Sequence, residues 1–450
     1  MAFVLLVDPI LTLATEESPG LLNWLDIEPN RSYALASRGL YFGGWINSGI
    51  AVNTLSPPNV QNGTVTFNTQ DGVPELNQFY LYLERRADFD SQAWKVGGRA
   101  DFLYGTDAVF TQTYGSPFGT WDFYLAKGCN SQNEDCSSRY YSAAVPQAYL
   151  SINAPVGRGL NLQIGHFYTP FGFEVVTAPG NFFYSHAYTM QYGEPFTHTG
   201  FLFHYEIDHN LQFRLGSTTG DASNGCTWRR QSSGEWVPNG PCLSGGGWDG
   251  DFNSGLGAWA FIGGAKFTSD DEKTLFSVKT TVGPASEQNR SAWGLASFIF
   301  QHTFAGGWHY VFQHDQGFAD HILPDDRLKL INANWHGINQ YLFYPLGEDL
   351  SLGLRAEWFQ DPEGFRVCNP NGPTVTVCPN PETGVANAAG NGYFEVTAGL
   401  TWKPDGWLTF RPNIRWDKST SIPAFGYDPV TQAGTAFTQV MLSMDVIAVF

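Results

Sequence analysis

The feature that most constrains this chain is a regular alternation of long and short connections between segments of alternating polarity. Sixteen such segments, each roughly ten residues or longer, place apolar and polar side chains on opposite parities. They span residues 39–53, 76–88, 92–104, 144–154, 159–168, 198–208, 210–219, 256–268, 273–283, 291–304, 307–316, 328–345, 350–360, 392–403, 407–417 and 436–450. We interpret them as antiparallel strands.

The short connections all fall at alternate positions along the chain. They read DFDS, PVGR, DHN, SDDE, AGG, PLGED and KPDG, and long connections lie between them. Bacterial outer-membrane barrels have short periplasmic turns and longer extracellular loops. The sequence therefore predicts an all-β, transmembrane, antiparallel up-and-down β-barrel of about 16 strands with both termini in the periplasm. Residues 1–37 are predicted to be a periplasmic N-terminal lead-in, and residues 38–450 the barrel.

Alternation alone also suits a water-soluble sheet, so the composition of the chain must distinguish such a sheet from a membrane barrel. Aromatic residues make up 16% of the chain, and charged residues make up 15% where about 25% is usual for a soluble domain. Excess aromatics are typical of the girdles at lipid interfaces. No apolar run reaches the roughly 18 residues of a spanning helix, which excludes a helical membrane protein. The net charge of −18 argues against nucleic-acid binding.

Two segments show which face points inward. Segment 407–417 separates four apolar residues from Thr409, Arg411, Asn413 and Arg415, and segment 350–360 separates a second apolar set from Arg355 and Glu357. A charge facing lipid near the midplane costs about 2–4 kcal/mol. We therefore expect these charges to face a polar, water-filled interior. Segment 328–345 allows either register.

The two ends of the chain carry different signals. Residues 1–15 are apolar but have no basic start and no clear cleavage site, so they make a poor signal peptide. We expect either a numbering that starts on a mature or trimmed chain, or an export signal that is not shown. At the other end, the apolar parity of the last segment ends on Phe450.

Six cysteines form three close pairs, each inside one predicted extracellular loop. The pairs are Cys129 with Cys136, Cys226 with Cys242, and Cys368 with Cys378. Paired cysteines are typical of an oxidising compartment. A zinc site is the alternative, but no pair has CxxC spacing and no cluster of histidines adjoins. We therefore predict three disulfides.

Residues 159–222 resemble the beta-barrel porin-2 family, also described as OmpL-like. The stretches that carry the resemblance are IGHFYTPFGFE, NFFYSHAY and GEPFTHTG, with weaker similarity in LNQFYLYLERR. The resemblance implies a porin-like barrel in the lipid of the bacterial outer membrane. Phe450 also looks like the C-terminal signal read by the barrel-assembly machinery, which would then be a partner of this chain.

A porin selects solutes by pore radius and lining charge. In general diffusion porins the third extracellular loop folds into the barrel; here that loop is residues 169–197, and Glu174 and Glu194 are its only acids. Packing over the rim or against a neighbouring subunit is the alternative.

Inward charges near the barrel seam are predicted at Glu84, Arg86, Lys95, Arg99, Asp101, Arg355, Glu357, Glu395, Arg411, Arg415 and Asp445. Opposite the two loop acids, this arginine-rich wall would set a transverse field that favours small polar or charged solutes; mutual salt bridging is the alternative.

Two other classes of function stay open. Barrel hydrolases exist, but no GxSxG or HExxH motif is present. Ser185 and His186 are the best nucleophile-like pair, and a loop hydrogen bond suits them better. A scaffold barrel that sheaths a partner protein is the third class. No CxxCH motif for covalent haem is present, and no cofactor is predicted. By analogy with other sixteen-stranded porins, we also expect a homo-oligomer, with a trimer as the first guess.

Overall fold

The computed structural model describes residues 20–57, 60, 62, 64–87, 93–111, 122, 141–219, 228–230, 236–238, 259–284, 292–324, 330–367, 390–426 and 434–450. The strands are β1 (Tyr41–Asn53), β2 (Glu75–Arg85), β3 (Lys95–Gly105), β4 (Ser142–Ala144), β5 (Ala148–Ala154), β6 (Leu160–Tyr168), β7 (Thr197–Glu206), β8 (Leu211–Thr219), β9 (Trp228–Arg230), β10 (Trp236–Pro238), β11 (Ala260–Thr268), β12 (Thr274–Pro284), β13 (Ala292–Thr303), β14 (His309–Pro324), β15 (Leu330–Pro345), β16 (Leu350–Asp361), β17 (Asn391–Asp405), β18 (Leu408–Phe410), β19 (Asn413–Ser419) and β20 (Thr438–Val449). Three four-residue helices are α1 (Leu21–Trp24), α2 (Tyr33–Ala36) and α3 (Ala108–Thr111). Single-turn helices lie at Pro29–Arg31, Ala178–Gly180 and Thr189–Gly193.

The strands close into a sixteen-stranded antiparallel barrel. β4 and β5 both pair with β3 and act as one interrupted strand, as do β18 and β19 between β17 and β20. β9 and β10 form a separate hairpin. The barrel closes where β1 pairs with β20, with Trp45 opposite Val449. The predicted fold class is therefore confirmed.

Each predicted segment overlaps one barrel strand. In two cases the bounds of the strand differ from those of the predicted segment. Segment 407–417 is divided at Arg411 and Pro412 because proline has no N–H to donate to the ladder. Segment 307–316 extends as β14 to Pro324, past a register shift between Ala319 and Leu323. The composition of this extension resembles a loop, yet Ala319 pairs with Ala333 and Leu323 with Ile331 of β15.

The two faces of the wall follow the predicted parity. On β16, Arg355 is fully buried inside while Leu354 is 44% exposed outside, and on β19 Arg415 is buried while Ile414 is 47% exposed. The undecided strand β15 points its odd-numbered residues inward, among them Trp335. Large aromatics such as Trp335 and Tyr341 point inward while His336 and Gln340 point outward, so the usual polar-inside parity is lost, which explains why the sequence left its register open.

Residues 169–196, here called the inner loop, connect β6 to β7 through the interior of the barrel. Phe183 packs with Ile299 and Val311 on the inward faces of β13 and β14. Tyr188 donates a hydrogen bond to Asp417 on β19 at 2.8 Å. The loop therefore contacts the wall opposite its own strands.

The described part of the N-terminal lead-in lies against the end of the barrel that carries the short turns. Trp24 of α1 lies 5.9 Å from Trp407, which follows β17, between their ring centroids. Among the residues that the structure describes, no helix combines the length and apolar character needed to span a membrane.

Candidate functional site

Arg355 is the centre of the contact between the inner loop and the wall. This β16 side chain is fully buried and donates to Glu174 of the inner loop at 2.6 Å and to Glu395 of β17 at 2.8 Å. It also donates to the backbone carbonyl of Ser185 at 2.7 Å. One guanidinium, with its planar fork of donors, thus joins two carboxylates from distant parts of the chain.

The electrostatics of Glu174 show how strongly the inner loop is held. Burial by itself would raise the pKa of this carboxyl group, but the charge of Arg355 and a hydrogen bond with His186 lower it to about 2. His186 Nδ1 lies 3.1 Å from the carboxylate, and burial lowers the pKa of the imidazole. Glu174 is therefore an ionised, paired carboxylate at neutral pH.

Three further wall residues from the predicted set bind the same loop. Glu357 accepts backbone N–H groups of Tyr188 and Thr189, both at 2.5 Å. Arg411 pairs with Asp445 and donates to two loop carbonyls at 2.8 Å, and Arg415 pairs with Asp417 and donates to the carbonyl of His186. The arginines of the wall are therefore in direct contact with the loop rather than across an open gap from it.

Glu194, at the end of the inner loop, has a different environment. Its carboxylate accepts a hydrogen bond from Gln313 of β14, and Gln313 also donates to Asp315 at 3.1 Å. Burial raises the pKa of Glu194 well above its ordinary value, and the neighbouring carboxyl group of Asp315 adds to the rise. This acid lies beside the Gln313 amide donor and the Asp315 carboxyl group, not beside the arginines predicted to oppose it.

The remaining predicted charges lie away from the inner loop's anchor points. Arg99 and Asp101 of β3 form a buried pair with each other at 2.7 Å. Arg86, just after β2, has a side chain that is 43% exposed and lies 3.6 Å from Glu84. Lys95 begins β3 and is exposed. Only part of the predicted wall therefore reaches the loop.

A second charged surface, which the sequence reasoning did not single out, lines the opposite wall. Arg214 of β8, Lys266 of β11 and Lys279 of β12 all have inward parity and are only half-buried. Gly264 pairs with both Arg214 and Lys279, so these two cations lie in one row across three strands. The period-two alternation of these strands was the sequence signal that could have identified the three inward cations. We call this surface, Arg214, Lys266 and Lys279, the basic wall.

The inner loop begins directly beside the basic wall. Lys279 donates to the backbone carbonyl of Pro170, and a small cavity is lined by Pro170 together with all three cations. The single acid with inward parity on the described strands from β5 to β12 is Glu206, which accepts from Gln212 at 2.7 Å. Positive charge therefore prevails on this side of the lumen.

The other candidate groups form no reactive arrangement. Ser185 Oγ lies 3.1 Å from Arg355 and 3.4 Å from Asn413, whereas His186 contacts Glu174. The two side chains thus have different partners. Across the ranges that the structure describes, no three His, Cys, Asp or Glu side chains cluster around a metal-sized site. All six predicted disulfide cysteines lie outside the described residues.

Solved outer-membrane channels share this architecture. OprB of Pseudomonas putida is 12% identical with a TM-score of 0.54, covering 96% of this chain and 99% of its own. The outer membrane channel DcaP of Acinetobacter baumannii is 10% identical with a TM-score of 0.52, covering 91% and 97%. An anion-selective porin from Comamonas acidovorans is 9% identical with a TM-score of 0.50, covering 91% and 99%. At these identities the similarity shows the fold.

The family comparison identifies the chain more closely. No curated protein sequence matches it. A family model described as "Putative beta-barrel porin-2, OmpL-like" matches residues 39–450, which is the whole barrel. The predicted resemblance and the predicted outer-membrane location are thereby confirmed. The chain belongs to this porin family, and it is an outer-membrane β-barrel of the porin type.

Proposed function

We propose that this porin conducts small anions through the space between the inner loop and the basic wall. The observation that carries the proposal is the difference in solvent access between the two sides of the lumen. Inward charges on β16 to β19, such as Arg355 and Arg415, are fully buried under the loop. Those of the basic wall are only half-buried. Solvent is therefore excluded from the first set, whereas it reaches part of each side chain of the basic wall; the Nη1 atom of Arg214 belongs to the buried part.

The charge of the accessible side favours anions. Arg214, Lys266 and Lys279 stand against Glu206 among the inward charges of the described strands from β5 to β12. A lumen lined by one sign of charge raises the local concentration of the opposite ion. The anion-selective porin from Comamonas acidovorans shares the fold and is compatible with this proposal, but the basic wall is what supports it.

Glu174 and the arginines then have a positioning role. Contacts of 2.6 Å to Arg355 and 2.5 Å to Glu357 hold the inner loop to the far wall. A loop fixed in this way keeps the width of the remaining passage constant. The constriction would accordingly lie between the loop and the basic wall, and not between Glu174 and the arginines.

The proposal is tested by the reversal potential of the purified barrel in a planar bilayer under a potassium chloride gradient. We expect the native protein to prefer chloride. The double variant Lys266→Gln/Lys279→Gln should lower the anion-to-cation permeability ratio at least about threefold, because two of three lining cations are removed. Lys273→Gln is the matched control, since Lys273 lies in an exposed turn and pairs with Asp271 at 3.4 Å.

Two results would contradict the proposal in different ways. A native barrel that prefers potassium, or a double variant with unchanged selectivity, would exclude the basic wall as the selective surface. A folded barrel without conductance would exclude an open pore and favour the scaffold alternative. The single variant Lys266→Gln, which leaves the contact between Lys279 and Pro170 intact, separates lost charge from a displaced loop.

A further inference from the structure

Two carboxyl groups meet inside the barrel without a cation between them. Glu194 of the inner loop is 2% exposed, and Asp315 of β14 is fully buried. The two side chains lie within hydrogen-bonding reach of each other. Among the residues that the structure describes, no lysine or arginine forms an ion pair with either one. We call Glu194 and Asp315 the carboxyl pair.

Gln313 of β14 is the amide that connects the carboxyl pair to the inner loop. Its Oε1 atom accepts the backbone N–H of Phe173 at 3.0 Å, so its NH₂ group points at the carboxyl pair. That group donates to Oε1 of Glu194 and to Oδ1 of Asp315, the latter at 3.1 Å. Ser297 of β13 donates to the same Oδ1 atom at 2.6 Å. Gln313 therefore joins both ends of the inner loop to β14.

The hydrogen-bond donors around the carboxyl pair are one too few. Both N–H bonds of the Gln313 amide and the hydroxyl of Ser297 are already used. The Oδ2 atom of Asp315 is buried and has no hydrogen-bond partner in the part of the chain that the structure describes. A buried carboxylate with an unsatisfied oxygen is unfavourable. A protonated carboxyl group supplies its own donor, and Glu194 is the acceptor within reach.

The other charged groups of the inner loop have their own partners. Glu174 forms an ion pair with Arg355 at 2.6 Å and contacts His186 at 3.1 Å. Burial raises the pKa of Glu194 well above its ordinary value, and the negative charges of Asp315 and Glu174 add to the rise. Two adjacent carboxyl groups in a site of low polarity lose their protons one at a time.

The strands around the carboxyl pair provide no counter-charge in contact with it. Lys279 of β12 pairs with Ser297, and Ser297 pairs with Asp315. Two strand spacings set the Cα atoms of Lys279 and Asp315 about 10 Å apart, and Lys279 donates to the carbonyl of Pro170. Two further titratable side chains interact with the pair: His314, which points to the outer face of β14, and Tyr341 of β15, which is buried.

A small cavity lies beside Glu194. It is lined by Glu194 together with Tyr168, Thr169 and Met190, and its volume is about 20 Å³. A cavity of this size has room for a water molecule. Water at this place can carry a proton to and from the carboxyl pair.

We propose that Glu194 and Asp315 bind one proton between them, and that its loss at alkaline pH releases both ends of the inner loop from β14. With the proton bound, the pair carries a single negative charge, and the Oδ2 atom of Asp315 gains a partner. Without it, two carboxylates repel each other in a medium of low dielectric constant. Their separation breaks the bonds of Gln313, which hold Phe173 and Glu194. The width of the passage beside the loop then depends on pH.

Difference infrared spectroscopy of the purified barrel between pH 6 and pH 10 detects the proton itself. The native barrel should show the carbonyl stretch of a protonated carboxylic acid at pH 6 and lose it by pH 10. Asp315→Asn should lack this component, because its amide NH₂ group replaces the proton as the donor to Glu194. The matched control is Asp349→Asn in the exposed turn before β16, which should retain it.

Two spectroscopic results would overturn the proposal. Identical spectra for the native barrel and Asp315→Asn would show that the pair binds no proton. A component that is absent from Asp315→Asn but persists in the native barrel at pH 10 would show that the proton is not released.

Single-channel recording over the same pH range tests the consequence for the inner loop. Fluctuations of the native open-channel current should rise at least about threefold from pH 6 to pH 10, because the loop limits the passage. Asp315→Asn should stay at its pH 6 level. Glu194→Gln should behave in the same way, since its amide can donate to Oδ2 of Asp315, so the test does not depend on the folding of one variant.

The recordings are independent of the proposed anion preference, because they compare current fluctuations and not reversal potentials. Native fluctuations that do not change with pH would overturn the proposal. Fluctuations that rise equally in the native barrel and in both variants would overturn it as well, since another group would then be responsible.

Discussion

At the scale of single residues, the inward arginines Arg355, Arg411 and Arg415 are each buried together with a carboxylate partner. Arg355 is fully buried, and so is its partner Glu395 on the neighbouring strand. Removing two charges from water costs several kcal/mol per ion, so geometry must be good for such a pair to persist. Glu174 adds a second carboxylate from the inner loop. The interior thus holds the loop through charge pairing as well as through packing.

The first residue-scale prediction concerns Glu174→Gln and pH. The pKa of Glu174 is lowered from 4.5 to about 2, which corresponds to roughly 3 kcal/mol of folding free energy. That stabilisation is fully present above pH 4.5 and is lost as the pH falls through about 2. The unfolding temperature of the native barrel should therefore decrease as the pH is lowered from 4.5 to 3. The Glu174→Gln barrel should lack the part of this decrease that comes from Glu174.

Thermal unfolding in detergent between pH 7 and 3 makes the comparison. The variant should also be less stable at neutral pH, because Arg355 then keeps only Glu395 as a charged partner. Glu348→Gln, in the exposed turn before β16, controls for the removal of any one carboxylate. A Glu174→Gln barrel with the native pH profile would show that this pair does not stabilise the fold.

At the scale of the element, the inner loop owes its position to two different walls. Aromatic packing joins Phe183 to β13 and β14, and Phe343 of β15 lies 4.7 Å from Phe182 between ring centroids. Hydrogen bonds to Glu357 and Arg411 join it to β16 and the segment before β19. A second loop contributes as well, since Phe67 packs with Met190 and Phe196. The loop is a packed internal element.

Deleting residues 173–193 should widen the passage. Single-channel conductance should rise several-fold if the loop limits the current, because pore conductance follows the open cross-section. Arg355, Arg411 and Arg415 lose partners, so thermal stability should fall at the same time. The barrel must first be shown to be folded by its heat-dependent mobility on a denaturing gel. A folded deletion variant with native conductance would place the constriction elsewhere.

At the scale of the whole molecule, the last residue takes part in closing the barrel. The backbone N–H of Phe450 donates to the carbonyl of Gly44 and that of Gly44 to the carbonyl of Phe450, both at 2.9 Å. A Cβ on Gly44 would lie 2.8 Å from the Phe450 ring, so a glycine is needed for this close approach. Phe450 therefore has a packing role in addition to the predicted assembly signal.

Phe450→Ala separates the two roles, because it retains the backbone bonds and removes the ring. We propose that the ring is read by the barrel-assembly machinery, so the amount of folded barrel in cells should fall much more than the yield of refolding in detergent. The control is Met444→Ala, which shortens an outward side chain on the same strand that is 43% exposed. Equal losses in cells and in detergent would show that packing alone accounts for Phe450.

The sequence by itself determined the strand number and the alternation of long and short connections at the two ends of the barrel. Alternation of period two is a local property, so the inward arginines of β16 and β19 can be identified from each strand's own sequence. Where large aromatics point inward and polar residues outward, as on β15 with Trp335 inside and Gln340 outside, the local pattern was insufficient. The inward parity of Lys266 and Lys279 was readable, but nothing local marked these residues as the accessible ones.

Only the tertiary structure decided which charges meet. Glu174 and Arg355 are 181 residues apart in the chain, and their contact depends on barrel closure and on the path of the inner loop. Sequence reasoning set Glu174 across the lumen from the arginines and kept salt bridging as the alternative, and the structure has a 2.6 Å ion pair between Glu174 and Arg355. Period two tells each side chain which face it occupies. Which part of the lumen a loop fills, and hence which wall water reaches, depends on the packing of the whole barrel.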